Sequence, residues 1–149
     1  MIKHKVETFI YEDFGFPILL VNAPLRKSFG EWVIDIDFNK LRRDVLNYLL
    51  HKHASLTGAE LRFIRKHLEM TTTEFGKVCG VTHVAVLKWE SGENRISPTT
   101  DLYVRLYVLQ RLHAKNEEFG KLFYEISVEQ LLSKSDQGSS EPMKIEAFA

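Results

Sequence analysis

The spacing between Thr72 and Ser91 constrains this chain more than any other feature of its sequence. Glycine stands at the fifth position of that segment, Gly76, and at its ninth, Gly80, while Phe75, Cys79, Val81, Val86 and Trp89 are apolar. Each position has a steric or packing reason in a helix-turn-helix. At Gly76 the two helices approach most closely, so a side chain larger than a methyl group would push them apart. At Gly80 the turn needs a left-handed backbone, which glycine adopts without penalty. The apolar set holds the second helix across the first.

Helix-start signals repeat on both sides of this segment. Thr57 with Glu60 and Thr71 with Glu74 fit the capping box, in which the hydroxyl takes an orphan amide and the carboxylate returns the bond. Thr82 caps a third start, and Ser97 followed by Pro98 caps a fourth with proline at the first helical position. Leu61, Ile64 and Leu68, then Phe75 and Val78, then Val86 and Trp89, then Leu102, Leu106 and Leu109 supply one apolar face per helix. Further on, Glu117 to Tyr124 reads as a fifth helix, and Ser127 with Gln130 opens Val128 to Leu132.

Upstream the pattern is different. Runs with strand character, Val6 to Tyr11, Pro17 to Asn22 and Glu31 to Asp37, are separated by Asp13-Phe14-Gly15 and Ser28-Phe29-Gly30, which predicts a small antiparallel sheet. In the third run Trp32, Ile34 and Ile36 alternate with Val33, Asp35 and Asp37. Asn39 is the expected N-cap of an amphipathic helix whose buried face is Leu41, Val45, Leu46, Leu49 and Leu50. That helix is expected to end in His51 to Ser55, a boundary between two domains.

Charge narrows the functional classes. The chain has 20 basic and 20 acidic residues, a balance that argues against a protein that coats nucleic acid. Yet residues 51–115 carry 10 basic and 6 acidic side chains, whereas residues 116–149 carry 3 and 7. A basic middle beside an acidic tail is the pattern of one module that meets an anionic partner, and equally of an ordinary solvated surface. The single cysteine, Cys79, excludes an internal disulfide and, without a CxxC pair, a cysteine-based zinc site; at an apolar position it reads as an inert thiol. The longest uncharged run, Phe14 to Leu25, is broken by Gly15, Pro17 and Pro24 and is too short to span a membrane. Met1 to Glu7 lacks the apolar stretch of a signal peptide, so a cytoplasmic protein is expected. His51, His53 and His67 lack ligand spacing, Asp35 and Asp37 read as surface charge, and no nucleophile–base pair or phosphate-binding glycine loop is present. Neither enzyme, metal nor cofactor is expected.

Met70 to Thr82 followed by Lys88-Trp89-Glu90-Ser91-Gly92 resembles the Cro/C1-type (XRE) repressor domain, over roughly residues 56–112. Trp89-Glu90-x-Gly92 is a recurrent signature of that family. Leu56 to Lys66 resembles the first helix of its MqsA-type branch of regulators and antitoxins. Tyr11-x-x-x-Gly15-x-Pro17 and Gly30-Glu31-x-Val33 resemble the short β-rich domain that precedes the repressor domain in that branch. Zinc-binding members carry two CxxC pairs there; this chain has neither, so the resemblance implies no zinc.

The resemblance implies an α+β chain: a β-rich N-terminal domain with one helix at 1–54, then an all-α five-helix lambda-repressor-like domain at 55–132. Residues 133–149 are expected to form a mobile acidic tail. It places base readers at Thr82, His83, Val84 and Lys88. Lys88 can donate to guanine O6 or N7, His83 to a base acceptor, and Val84 can pack on a thymine methyl. The alternatives are burial for Val84, a solvated charge for Lys88 and a phosphate contact for His83. Phosphate contacts are expected from Thr72 at a helix start and from Asn94 and Arg95 in the following loop. Phe75, Gly76, Gly80, Val86, Trp89 and Glu90 are structural, and Arg65 or Arg62 pairs with Glu90 or Glu74, or contacts phosphate. The implied function is a DNA-binding regulator, a homodimer on a palindrome, with an N-terminal domain that senses, binds a partner or dimerises. The alternative is an antitoxin that binds a toxin. Tyr103, Tyr107, Phe119, Phe123 and Tyr124 are either dimer interface or core.

Overall fold

A computed structural model describes residues 3–112, Leu122 and residues 141–147. The chain is α+β and divides into two compact units, Met1–Tyr48 with Glu141–Ala149, and Leu49–Ser140. The expected helices at Glu117–Tyr124 and Val128–Leu132 lie outside the described residues, except for the buried Leu122. No described helix is long and apolar enough to cross a membrane.

The first unit is a sheet built on one long strand. β1 (His4–Tyr11) pairs antiparallel with β2 (Ile18–Ser28), and β3 (Glu31–Ile34) pairs antiparallel with the end of β2. Buried residues on β2 are Ile18 and Leu20, then Ala23 and Leu25. The step from even to odd positions occurs at Asn22, whose φ of 54° marks an extra residue opposite Thr8. The Asn22 amide donates to the Thr8 hydroxyl at 3.0 Å. The apolar run expected to end at Asn22 therefore continues as strand through Pro24 to Ser28, because a bulge restores the buried face rather than terminating the pairing.

Two further expectations change in this unit. α1 (Phe38–His51) is capped by Asp37, whose carboxylate accepts from the amides of Asn39 at 2.9 Å and Lys40 at 3.2 Å. Asn39 thus lies in the first turn, and Asp37 is a cap rather than a strand-surface charge, since a carboxylate at a helix start satisfies orphan amides. The expected buried face of α1, Leu41, Val45, Leu46, Leu49 and Leu50, is buried. The tail, expected to be mobile from residue 133, contains β4 (Met143–Glu146), parallel to Ile18–Val21 of β2. Met143, Ile145 and Ala147 are buried and alternate with the exposed Lys144 and Glu146, so period-two burial outweighs the polar composition of the segment.

The second unit contains α2 (Gly58–His67), α3 (Thr72–Cys79), α4 (His83–Ser91) and α5 (Pro98–Arg111). Thr57, Thr71, Thr82 and Ser97 are their N-caps, with both capping boxes formed. Leu61, Ile64, Leu68, Phe75, Val86, Leu102 and Leu109 are buried as expected, whereas Val78, Trp89 and Leu106 are half-buried. On α5 the buried face instead includes Val104, Val108, Asp101 and Arg105. Arg105 has no exposed surface: it donates to the Asp101 carboxylate at 2.7 Å and to the carbonyls of Leu50, Lys52 and Ala54. The other Asp101 oxygen accepts the Leu56 amide at 2.7 Å, and Lys52 donates to the buried Glu60 at 2.7 Å. Burial pushes the Asp101 carboxyl up, against the opposing pull of Arg105 and the Leu56 amide.

Removing one partner of such a buried network leaves the other uncompensated. Arg105→Ala is expected to cost about 4 kcal/mol of stability, read from urea unfolding. The same change at the exposed Arg111 should shift the midpoint by less than about 0.5 kcal/mol.

Candidate nucleic-acid interface

The turn between α3 and α4 is built from two glycines. A Cβ on Gly76 would lie 2.7 Å from the Val81 carbonyl oxygen, inside any allowed contact, and the Val81 amide donates to the Gly76 carbonyl at 2.8 Å. Gly80 ends α3 in the left-handed region, at φ 72°. Both glycines do what their spacing predicts. A second close approach was not legible in the motif. A Cβ on Gly58 would overlap the carbonyl oxygens of Trp89 and Glu90, so the start of α2 sits directly on the end of α4. The available signal was a poor helix former at the first position of a helix.

An ion pair joins the same two helices. Arg65 on α2 donates through Nε to Glu90 Oε2 at 2.7 Å and through Nη2 to Glu90 Oε1 at 2.9 Å. Its third nitrogen, Nη1, donates to the Met70 carbonyl at 3.0 Å. The two-point bond to Glu90 raises the Arg65 guanidinium further above its ordinary value. Of the open alternatives, Arg65 therefore takes Glu90, Glu74 completes its own capping box, and Arg62 is exposed.

Anchored in this way, α4 buries Val86 and presents its other side outward. His83 and Val84 are exposed, Val84 at 47%, which settles the burial alternative for that residue. Lys88, one turn beyond Val84, is half-buried. The Thr82 hydroxyl accepts the Ala85 amide at 3.2 Å, so this expected base reader is also the helix cap. Leu87, exposed at 49% and three residues from Val84, shares that face and was not singled out by the motif. Thr72 lies in the first turn of α3, where backbone amides have no intrahelical acceptor. Asn94 and Arg95 are exposed in the loop between α4 and α5 and help to line an open cavity of about 240 Å³ with Gly58, Trp89 and Gly92.

Among the described residues, no group of three His, Cys, Asp or Glu side chains is placed to hold a metal. Cys79 is half-buried, and burial pushes its thiol up to about 11. Its thiolate should be scarce at neutral pH. Alkylation of the folded protein at pH 8 is expected to be about a hundredfold slower than for a free thiol and to rise with pH until the thiol ionises. A second expectation concerns the ion pair: Glu90→Ala, which strands Arg65, should cost about 3 kcal/mol in denaturant unfolding.

Comparison with known proteins matches this geometry over part of the chain. No curated protein and no solved structure matches. The family model described as Helix-turn-helix matches residues 61–100, which contain all of α3 and α4. Over those residues the chain is similar to that helix-turn-helix model, in the same stretch whose motif resembles the Cro/C1 type.

Proposed function

We propose that the chain is a sequence-specific transcriptional regulator that reads DNA through α4 and represses its own promoter. The observation that carries this reading is the division of α4 into an anchored side, Val86 with the Glu90–Arg65 pair, and an exposed side with His83, Val84 and Leu87, beside which Lys88 is half-buried. A helix held in this way fits the major groove, where Lys88 donates to guanine, His83 to a base acceptor and Val84 packs on a thymine methyl. Thr72, through the first-turn amides of α3, and Asn94 with Arg95 meet phosphates and set register. Two copies on a palindrome would place half-sites about one helical turn apart; Tyr103, exposed on α5, is available to such an interface. No catalytic step and no cofactor enters this reading.

The N-terminal unit acts here as a sensor or partner-binding module. One observation favours a second reading, in which it binds a toxin as MqsA-type antitoxins do: Val6 and Ile10 stand exposed on one face of β1. Co-purification of a small protein encoded next to this gene, lost in Val6→Asp, would support that reading.

The first test is fluorescence anisotropy with labelled tiles of DNA upstream of the gene, across a salt series. One tile should bind selectively. Lys88→Ala is expected to lower the preference for that tile by about 1–3 kcal/mol. Arg95→Ala should weaken all tiles alike and reduce the salt slope by about one. Uniform binding that Lys88→Ala leaves untouched would overturn the regulator reading.

A further inference from the structure

The hairpin between β2 and β3 ends in a residue that nothing among the described residues explains. Phe29 and Gly30 form a two-residue turn with φ values of 48° and 82°, a combination that normally takes Asn-Gly. Phenylalanine is an outlier in that backbone region, and here its ring is fully exposed, so among the described residues it packs against nothing that would repay the conformation.

The surroundings of the ring are cationic. The Lys27 amide donates to the Lys3 carbonyl at 3.0 Å, which brings the start of β1 beside the tip of the hairpin. His4 stands opposite Arg26, and Lys27 opposite Trp32. The Lys5 and Lys27 ammonium groups lie 4.4 and 5.8 Å from the centre of the Trp32 ring. Lys5 is paired with Glu7 and Arg26 with Asp35, and Glu31 adds one acid at the turn. Lys3 and Lys27 are exposed, and among the described residues neither has a carboxylate partner.

We propose that this end of the sheet is a second contact for duplex DNA, with Lys3 and Lys27 on phosphates and the Phe29 ring against the bases. The proposal rests on the regulator reading. A two-stranded ribbon fits a groove of the duplex, exposed apolar side chains act as wedges at base steps, and neighbouring lysines without a carboxylate partner supply the counterion-releasing charge. An acidic protein surface would also satisfy the lysines, but it offers no stack of π faces to the ring.

The test uses the full chain and a labelled duplex of arbitrary sequence, titrated across a salt series. Phe29→Asn is expected to weaken binding about tenfold. The same change should raise the melting temperature by about 2 °C, because asparagine tolerates the left-handed turn. Loss of affinity with a gain in stability cannot come from a damaged fold. Lys3→Ala combined with Lys27→Ala should reduce the slope of log K against log salt by about two. If both variants bind the duplex as wild type does, while the wild type still prefers one upstream tile, the hairpin contact is overturned and the regulator reading stands. If the wild type binds neither arbitrary duplex nor any tile, both are overturned.

Discussion

A guanidinium with no exposure to water has to be paired at every nitrogen, and Arg105 meets that demand by collecting one carboxylate and three backbone carbonyls. The carbonyls belong to Leu50, Lys52 and Ala54, at and beyond the end of α1, where a helix leaves its last acceptors unsatisfied. Asp101 extends the network to the Leu56 amide, and Lys52 reaches Glu60, which also accepts the Thr57 amide of the α2 cap. One buried cation thus shapes the segment that leads into α2. From there Gly58 and Arg65 carry the constraint to the end of α4.

What this support achieves for function is rigidity without concealment. Val86 is completely buried, and the Arg65–Glu90 pair and the Gly58 contact hold the far end of α4. The face carrying His83, Val84 and Leu87 is left exposed. Exposed apolar side chains on a helix surface cost little singly, but two neighbours on one exposed face are what contact with base edges would use. The balance of 20 basic and 20 acidic residues is compatible with that role because charge is unevenly distributed. Electrostatic attraction to DNA depends on local charge within about a Debye length rather than on the total.

Much of the second unit was legible from local rules. Capping boxes at Thr57 and Thr71, the caps Thr82 and Ser97 and the left-handed Gly80 are determined within a few residues, so a reading by spacing places them without knowing the fold. The exposed and anchoring sides of α4 also follow from spacing, since Val86 and Val84 are two positions apart and must point differently. Leu87 escaped because a motif names particular roles and not every residue that shares a face.

The sequence by itself determined the helix starts, the glycine-governed turn and the alternating strands, because each depends on dihedral preference or on satisfying an amide nearby. Only the tertiary structure decided four things. It ran β2 through Asn22 and Pro24, drew Met143–Glu146 into the sheet, buried Arg105 with Asp101 and set Gly58 against the backbone of α4. All four depend on partners far along the chain, such as Ile18 with Met143 or Arg105 with Leu50. A side chain's hydrophobicity or charge does not name its distant partner; the geometry of packing does.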